Sequence, residues 1–179
     1  MRNQAIATKR GLIIVNTGNG KGKTTAALGI LLRSWGRDMD VGVLQFIKSP
    51  KAGYGEYQAA VKMDFEIVQL GDGCLWNSDD LHHSQDLAVQ AWEKAKEHIL
   101  SQNYDVLVLD EFTYPLTYKW IDSEDVISWL SENKPPLMHL VITGRYAPRK
   151  LIDFADLVTE MKSIKHPFET EGMTGQPGI

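Results

Sequence analysis

The chain has 179 residues, enough for one domain with a full hydrophobic core around a central sheet. Hydrophobic residues make up 43% and charged residues 23%, which excludes a disordered chain, a collagen-like chain and a coiled-coil rod. The 19 basic and 23 acidic residues give a formal charge of −4, which argues against broad nucleic-acid binding but allows a local basic pocket. The single cysteine, Cys74, excludes an intrachain disulfide framework and a zinc site with two thiolates.

No apolar run approaches the roughly 18 residues that a membrane helix needs, and residues 1–10 contain no apolar stretch suited to a signal peptide. We therefore expect a cytoplasmic protein with no membrane or nucleic-acid partner. A single domain is expected over residues 1–179. Within it, residues 1–10 are expected to be an N-terminal extension and residues 169–179 a flexible C-terminal tail.

Six short segments predict β-strands in chain order. They are residues 12–15, 41–46, 65–70, 106–109, 137–142 and 157–161. The first and fourth are continuous apolar runs, which are typical of strands buried on both faces of a parallel sheet. Helical patterns lie between most of the segments. This alternation predicts an α/β fold in three layers, with a mostly parallel central sheet and helices on both faces.

Helices are predicted between these strands from their apolar faces and caps. The first follows residue 24 and has one apolar face made of Leu28, Leu31, Leu32 and Trp35. A second is capped by Ser78, Asp79 and Asp80 and buries Ala88, Ala91, Trp92, Ala95 and Ile99. A third starts at Asp122 and Ser123 and ends before Pro135, and a short fourth runs from Pro148 toward Phe154.

The segment between the first strand and the first helix carries the strongest chemical signal. It reads Thr17-Gly18-Asn19-Gly20-Lys21-Gly22-Lys23-Thr24. In this context glycines allow backbone N–H groups to converge on phosphate oxygens, the lysine adds a positive charge and the threonine hydroxyl can ligate Mg²⁺. Thr17 stands where the usual pattern has its first glycine. The alternative is a glycine-rich turn that caps a helix and binds nothing.

Further candidates follow the other strands, at the edge where parallel α/β sheets bind ligands. Asp110 and Glu111 end the fourth strand and either hold Mg²⁺ or are a pair of solvated loop acids. Spacing alone does not say which of the two would contact the metal. Arg145 follows the fifth strand and can clamp a triphosphate, or it can be an ordinary surface arginine. Lys48 follows the second strand in a glycine-containing loop that either contacts an anion or is merely solvated.

Several of these segments together resemble the ATP:corrinoid adenosyltransferases of the CobA/CobO/BtuR type. The similarity is carried by residues 17–27, 45–48 with 55–56, 109–111 and 141–145, and it extends from about Gly11 to the C-terminus. The resemblance implies a P-loop fold of the RecA-like kind and transfer of the 5′-deoxyadenosyl group of ATP to the cobalt of a reduced corrinoid, with release of triphosphate. It also implies Mg²⁺ (or Mn²⁺), a homodimer and an electron donor such as a reduced flavoprotein.

The resemblance also implies site roles. Catalytic roles fall to Lys23, Trp76 and Glu111, and metal ligation to Thr24, Glu111 and Asp110. The residues expected to bind ATP are Gly18, Asn19, Gly20, Lys21, Gly22, Lys23, Thr24, Thr25, Lys48 and Arg145. Trp76 matches a family tryptophan that packs against the corrinoid and strips cobalt of its lower ligand. Cys74 stands where the family often has a phenylalanine, and the N-terminal segment is shorter than in some members.

Two other functions fit the same loop. A small-molecule kinase or ATPase would use it for attack at the γ-phosphate and would release ADP. A nucleotide-gated binding protein would hold ATP and a corrinoid without turning over either. The sequence does not name the preferred corrinoid, the physiological reductant, or a role in synthesis rather than salvage.

Overall fold

The computed structural model of the protein describes residues 9–73 and 81–174. Its strands are β1 (Ile13–Thr17), β2 (Val41–Gln45), β3 (Glu66–Gln69), β4 (Val106–Asp110), β5 (His139–Thr143) and β6 (Leu157–Glu160). Its α-helices are α1 (Lys23–Trp35), α2 (Gly55–Met63), α3 (Leu81–Ser101), α4 (Thr113–Thr117), α5 (Ser123–Asn133), α6 (Arg149–Phe154) and α7 (Pro167–Glu171). A short 3-10 helix spans Pro50–Ala52. All six predicted strands are confirmed.

The six strands form one sheet in the order β3-β2-β4-β5-β1-β6, and every neighbouring pair is parallel. β5 therefore lies between β1, which leads into the glycine-rich loop, and β4, which ends at Asp110. Because all strands run in the same direction, their carboxyl ends meet at a single edge. This edge brings the loops after β1, β2, β4 and β5 together.

Hydrophobic clusters cover both faces of the sheet and confirm the predicted three-layer α/β fold. One cluster joins the sheet to Ala91 and Trp92 of α3 and to Leu130 of α5. The other joins it to Ala27 of α1 and Ala60 of α2. In β4, successive residues alternate between the two clusters, as a strand buried on both faces requires. Within the described residues, no helix combines the length and apolar character that crossing a membrane requires.

The predicted apolar face of α1 is wrong in part. The row buried against the sheet is Lys23, Ala27 and Leu31, whereas Leu32 is 52% and Trp35 41% exposed. Lys23, Ala27 and Leu31 lie four residues apart, so they form one row along the helix. The small Ala27 allows α1 to approach the sheet closely, and Leu31 continues the buried row one turn further along the helix. This rotation points Lys23 toward the sheet edge rather than into solvent.

The other predicted helices agree with the structure. All five residues predicted to form the buried face of α3 are buried. Asp122 caps α5 by accepting hydrogen bonds from the N–H groups of Glu124 and Asp125. The caps predicted for α3, Ser78 to Asp80, lie outside the described residues. Three helices were not predicted: α2, α4 and α7, of which α7 includes Glu169, the first residue of the expected tail.

Candidate nucleotide site

The last residues of four neighbouring strands are polar and meet side by side. In spatial order they are Gln69, Gln45, Asp110 and Thr143, at the ends of β3, β2, β4 and β5. Gln69 donates to Gln45, Gln45 donates to Asp110, and Thr143 donates to Asp110, at 3.2, 3.2 and 2.7 Å. We refer to these four residues as the polar row. The polar row lies along the carboxyl edge of the sheet, where the sequence predicts that the ligand binds.

The glycine-rich loop connects β1 to α1 at the same edge of the sheet. Gly22 precedes the helix at φ 106°, a left-handed backbone conformation that is strained for any residue with a side chain. It offers no side-chain cap, so the first N–H groups of α1 are left for a ligand or water. The Gly20 N–H, in contrast, already donates to the Met161 carbonyl at 2.7 Å. The segment after β6 thus braces the loop, and in this conformation the Gly20 amide is not offered to a phosphate.

Lys23 is held inside the site. The residue is buried at 7% exposure, and its ammonium donates to the Gly20 carbonyl oxygen at 2.7 Å. Burial lowers the pKa of Lys23, while the negative charge of Glu111 opposes that change. The lysine is therefore a poorly hydrated cation that rests on its own loop. A phosphate oxygen would provide a better partner than the carbonyl does.

Asp110 joins the loop to the sheet. Its carboxylate is fully buried and accepts from the Thr24 hydroxyl at 2.8 Å and from the Thr143 hydroxyl at 2.7 Å, both at Oδ1. Its other oxygen, Oδ2, accepts from the Gln45 amide. Three donors thus fix the carboxylate, one of them the predicted metal ligand Thr24. Asp110 and Thr24, placed apart in the sequence, are in direct contact.

Glu111 is a largely enclosed acid that lies next to a second acid, Asp110. Its backbone has φ 62° and its N–H donates to the Thr143 hydroxyl at 2.9 Å. Within the described part of the chain, its enclosed Oε2 accepts no hydrogen bond. Burial, and then the charge of Asp110, raise the pKa of Glu111 to about 6, although Lys23, Lys48 and Arg145 act in the opposite direction. A buried acceptor without a donor is suited to a cation.

Lys48 lies in the loop after β2 and pairs with Glu56 in the first turn of α2. Its ammonium also lies 4.8 Å from the centroid of the Tyr54 ring. Burial raises the pKa of Glu56, but the hydrogen bond and charge of Lys48, with help from Gln45, lower it below its usual value. The charge of Lys48 also reaches Glu111. Lys48 therefore acts on the same carboxylate, Glu111, as Lys23 does.

Arg145 follows β5 in a turn that several hydrogen bonds hold in place. The Thr113 hydroxyl donates to the Arg145 carbonyl at 2.7 Å. Gly144 has φ 139°, and a Cβ there would lie 2.0 Å from the Thr113 hydroxyl, so the turn requires glycine. Ala147 N–H donates to the Thr17 hydroxyl at 3.1 Å. Thr17, the residue that departs from the usual loop pattern, therefore connects the phosphate loop to the arginine turn.

The other predicted site residues have these positions. Asn19, Lys21 and Thr25 are exposed on the loop and first turn of α1, and Gly18 at φ 95° packs against Met161. Trp76 and Cys74 lie outside the described residues. The sequence did not predict the hydrogen bonds that Thr17, Thr113 and Gln45 make in the site. Only the role of Gln45 could have been suspected, because it is a polar residue at the end of a predicted strand.

The described residues offer only a few protein ligands for the predicted metal ion. No group of three or more acidic, histidine or cysteine side chains arranged to hold a metal occurs among residues 9–73 and 81–174. In nucleotide sites Mg²⁺ commonly takes one or two protein oxygens and completes its shell with phosphates and water. The Thr24 hydroxyl and the two neighbouring carboxylates are oxygen donors of this kind.

A cleft of about 460 Å³ opens at the opposite, amino-terminal edge of the sheet. Its lining includes the carboxyl groups of Asp38, Asp40, Asp64 and Glu66. Four acidic side chains repel a triphosphate, whereas the carboxyl edge offers Lys23, Lys48 and Arg145. We therefore expect the nucleotide at the cationic carboxyl edge of the sheet.

A strand that feeds a glycine-rich loop, a lysine folded back on that loop and a threonine in contact with the acid of β4 are the marks of a P-loop nucleotide-binding protein. Residues 9–179 match the family described as ATP:corrinoid adenosyltransferase BtuR/CobO/CobP. The chain belongs to this family.

Curated relatives agree with this assignment. A corrinoid adenosyltransferase from Sinorhizobium sp is 44% identical over 99% of this chain and 85% of its own length. Corrinoid adenosyltransferase CobA from Salmonella typhimurium is 37% identical over 96% of this chain and 86% of its own. A corrinoid adenosyltransferase from Pseudomonas aeruginosa is 34% identical over 96% and 84%. The similarity thus covers nearly the whole chain, and the resemblance seen in the sequence is confirmed.

Proposed function

We propose that this chain transfers the 5′-deoxyadenosyl group of ATP to the cobalt of a reduced corrinoid and releases triphosphate. The observation that carries the proposal, within a chain of this family, is the contact between the loop threonine Thr24 and the acid Asp110, with Lys23 beside them. These groups form a site for a triphosphate at the edge of the sheet. The family membership supports adenosyl transfer over the kinase and the binding-protein alternatives.

The proposed reaction needs no general base from the protein. Cobalt(I) supplies an electron pair that forms the cobalt–carbon bond at C5′, and the C5′–oxygen bond breaks with its electrons passing to triphosphate. Negative charge therefore develops on the leaving group, so the useful protein groups are fixed cations and N–H donors. In this proposal Lys23, Arg145 and the first amides of α1 take that role. Lys48 contributes a further positive charge at the same edge.

We include Mg²⁺, with Mn²⁺ as a substitute, in this proposal. Thr24 and Glu111 would hold it directly, and Asp110 would orient Thr24. Glu111 Oε2, which accepts no hydrogen bond from the described residues, and the Thr24 hydroxyl fit a small cation that prefers oxygen. When bound, the metal would offset part of the triphosphate charge. The raised pKa of Glu111 is consistent with a carboxylate that lacks its cation.

The remaining expectations belong to the proposal as well. They are a homodimer, a cytoplasmic location, a reduced flavoprotein as electron donor and a role for Trp76 in excluding the lower cobalt ligand. Trp76 is carried over from the family tryptophan and lies outside the described residues.

The test mixes the protein anaerobically with ATP, Mg²⁺ and chemically reduced cobalamin. We expect a product with the absorption spectrum of an alkylcobalamin, and light should cleave its cobalt–carbon bond. Lys23→Ala is the matched control, since it removes the loop cation and keeps the glycines. Absence of a light-sensitive product from the folded wild-type protein would contradict the proposal.

A further inference from the structure

Gln45 is a buried side chain to which the proposed reaction assigns no role. It is the last residue of β2 and has no exposed surface. Its amide nitrogen donates to Asp110 Oδ2 at 3.2 Å and to Glu56 Oε1 at 3.4 Å. Its amide oxygen accepts from Gln69 at 3.2 Å. Both amide hydrogens therefore point at carboxylates, one on each side.

Few side chains can occupy this position. An amide is neutral and offers two hydrogens, so it can bridge two carboxylates without adding charge. A glutamate of the same shape would place a third acid between Asp110 and Glu56. A methionine of similar length would remove the donor to Glu56 and would leave Oδ2 of the fully buried Asp110 without this hydrogen bond, which is costly. The contacts thus explain why glutamine stands at the end of β2.

Each of the two carboxylates holds a different part of the site. Asp110 accepts from Thr24, which begins α1 and is the proposed metal ligand. Glu56 pairs with Lys48, the cation of the loop after β2. The contacts therefore run without a break from Thr24 through Asp110, Gln45 and Glu56 to Lys48. Gln45 is the central member of this chain of contacts, which joins segments far apart in the sequence.

We propose that Gln45 is a positioning residue that couples the metal end of the nucleotide site to the Lys48 loop. By holding both carboxylates, it aligns Asp110 for Thr24 and Glu56 for Lys48 together. Occupancy of the site by Mg²⁺ and ATP then favours the ordered position of Lys48, and an ordered Lys48 favours the metal-bound nucleotide. The inference rests on the proposed function, because it takes the metal and ATP as ligands of this edge.

The test measures ATP binding by calorimetry, once with Mg²⁺ and once with EDTA, for the folded protein without corrinoid. The readout is the ratio of the two affinities, since a general loosening of the fold lowers both and leaves the ratio unchanged. Gln45→Met should reduce this ratio by about tenfold, because it removes a hydrogen bond to a charged group. Gln69→Met is the matched control. It removes only the contact to the amide oxygen of Gln45, and its ratio should stay within about twofold of the wild type.

The coupling itself is tested with a double-mutant cycle. Glu56→Ala should lower the ratio by about fivefold in the wild-type background and by less than about twofold when Gln45 is methionine. Should Gln45→Met fail to fold, Gln45→Asn takes its place, because its amide is one methylene too short to span both carboxylates. An unchanged ratio in the folded Gln45 variant, or an equal effect of Glu56→Ala in both backgrounds, would overturn the proposal. An equal loss in Gln69→Met would also overturn it.

This assay separates the two proposals. If the wild-type protein binds ATP with Mg²⁺ and shows the cycle but forms no cobalt–carbon bond, the proposed function fails while the role of Gln45 holds. If the cobalt–carbon bond forms and the cycle shows no coupling, the role of Gln45 fails while the function holds.

Discussion

Replacing Glu111 with Gln should have opposite effects on the free and on the liganded protein. In the free protein the Glu111 carboxylate is buried beside Asp110, and burial and that charge raise its pKa from 4.5 to about 6. This change in pKa means that the ionised form of Glu111 lowers the free energy of unfolding by about 2 kcal/mol relative to the protonated form. Glutamine removes the charge and with it the penalty. In the liganded protein the same substitution removes a proposed ligand of Mg²⁺.

The pH dependence follows from the direction of the pKa change. Well above pH 6, Glu111 is ionised in both the folded and the unfolded chain, so the full penalty is present. As the pH falls through about 6, the folded protein takes up the proton first and gains stability relative to the unfolded chain. Near pH 5 less than half of the penalty is left. The advantage of Glu111→Gln over wild type should therefore shrink by about 1 kcal/mol between pH 8 and pH 5.

The assay is thermal unfolding of both proteins at pH 8 and pH 5, without ligands and then with ATP and Mg²⁺. About 1 kcal/mol corresponds to roughly 2–4 °C in Tm for a chain of this size. Comparing the two pH values cancels any pH-independent cost of fitting the amide. With ATP and Mg²⁺ at pH 8, the variant should lose most of the rise in Tm that wild type shows. A Tm difference that does not change with pH would refute the burial argument. If Asp110→Asn alone abolished the rise, the metal would belong to Asp110 instead.

Three further substitutions test other parts of the site. Lys23→Ala should lower turnover by about 10²–10³ and leave the fold intact, because it removes a cation from the developing charge; near-normal turnover would contradict this. Gly144→Ala should destabilise the protein by about 1–3 kcal/mol in urea unfolding, because its Cβ would lie 2.0 Å from the Thr113 hydroxyl; an unchanged midpoint would be the contrary result. Trp76→Ala should slow adenosylation that starts from cobalt(II) far more than adenosylation of pre-reduced cobalt(I); equal losses in both assays would leave Trp76 as a packing residue.

The fold could be predicted because its signals are local. Continuous apolar runs such as residues 106–109 report burial on both faces of a sheet, and helical patterns between them report crossover connections. The rotation of α1 could not be predicted in the same way. Leu32 and Trp35 look like a core face by hydrophobicity, but the helix turns Lys23 and Ala27 toward the sheet instead. Close approach to the sheet favours the small side chain of Ala27, and that preference depends on the surface of the sheet that the helix meets.

The site could be predicted in its parts but not in its connections. The phosphate loop and the acids at the end of β4 have recognisable spacing, so their residue types suffice. The contact of Thr24 with Asp110 joins residues 86 positions apart, and the contact of Ala147 with Thr17 joins residues 130 apart. Such pairs depend on strand order, since β5 separates β1 from β4. The double role of Gln45 depends on three neighbours from three different segments.

Phosphorus NMR of the reaction products tests the central claim most directly. The protein is incubated with ATP, Mg²⁺ and cob(I)alamin, and the phosphorus signals are followed as the cobalt–carbon bond forms. Attack at C5′ predicts free triphosphate in an amount equal to the adenosylated corrinoid, without ADP. ADP with inorganic phosphate or a phosphorylated acceptor would contradict the account, because attack would then fall on the γ-phosphate. Unchanged ATP beside bound corrinoid would contradict it as well, and would make the protein a binding protein.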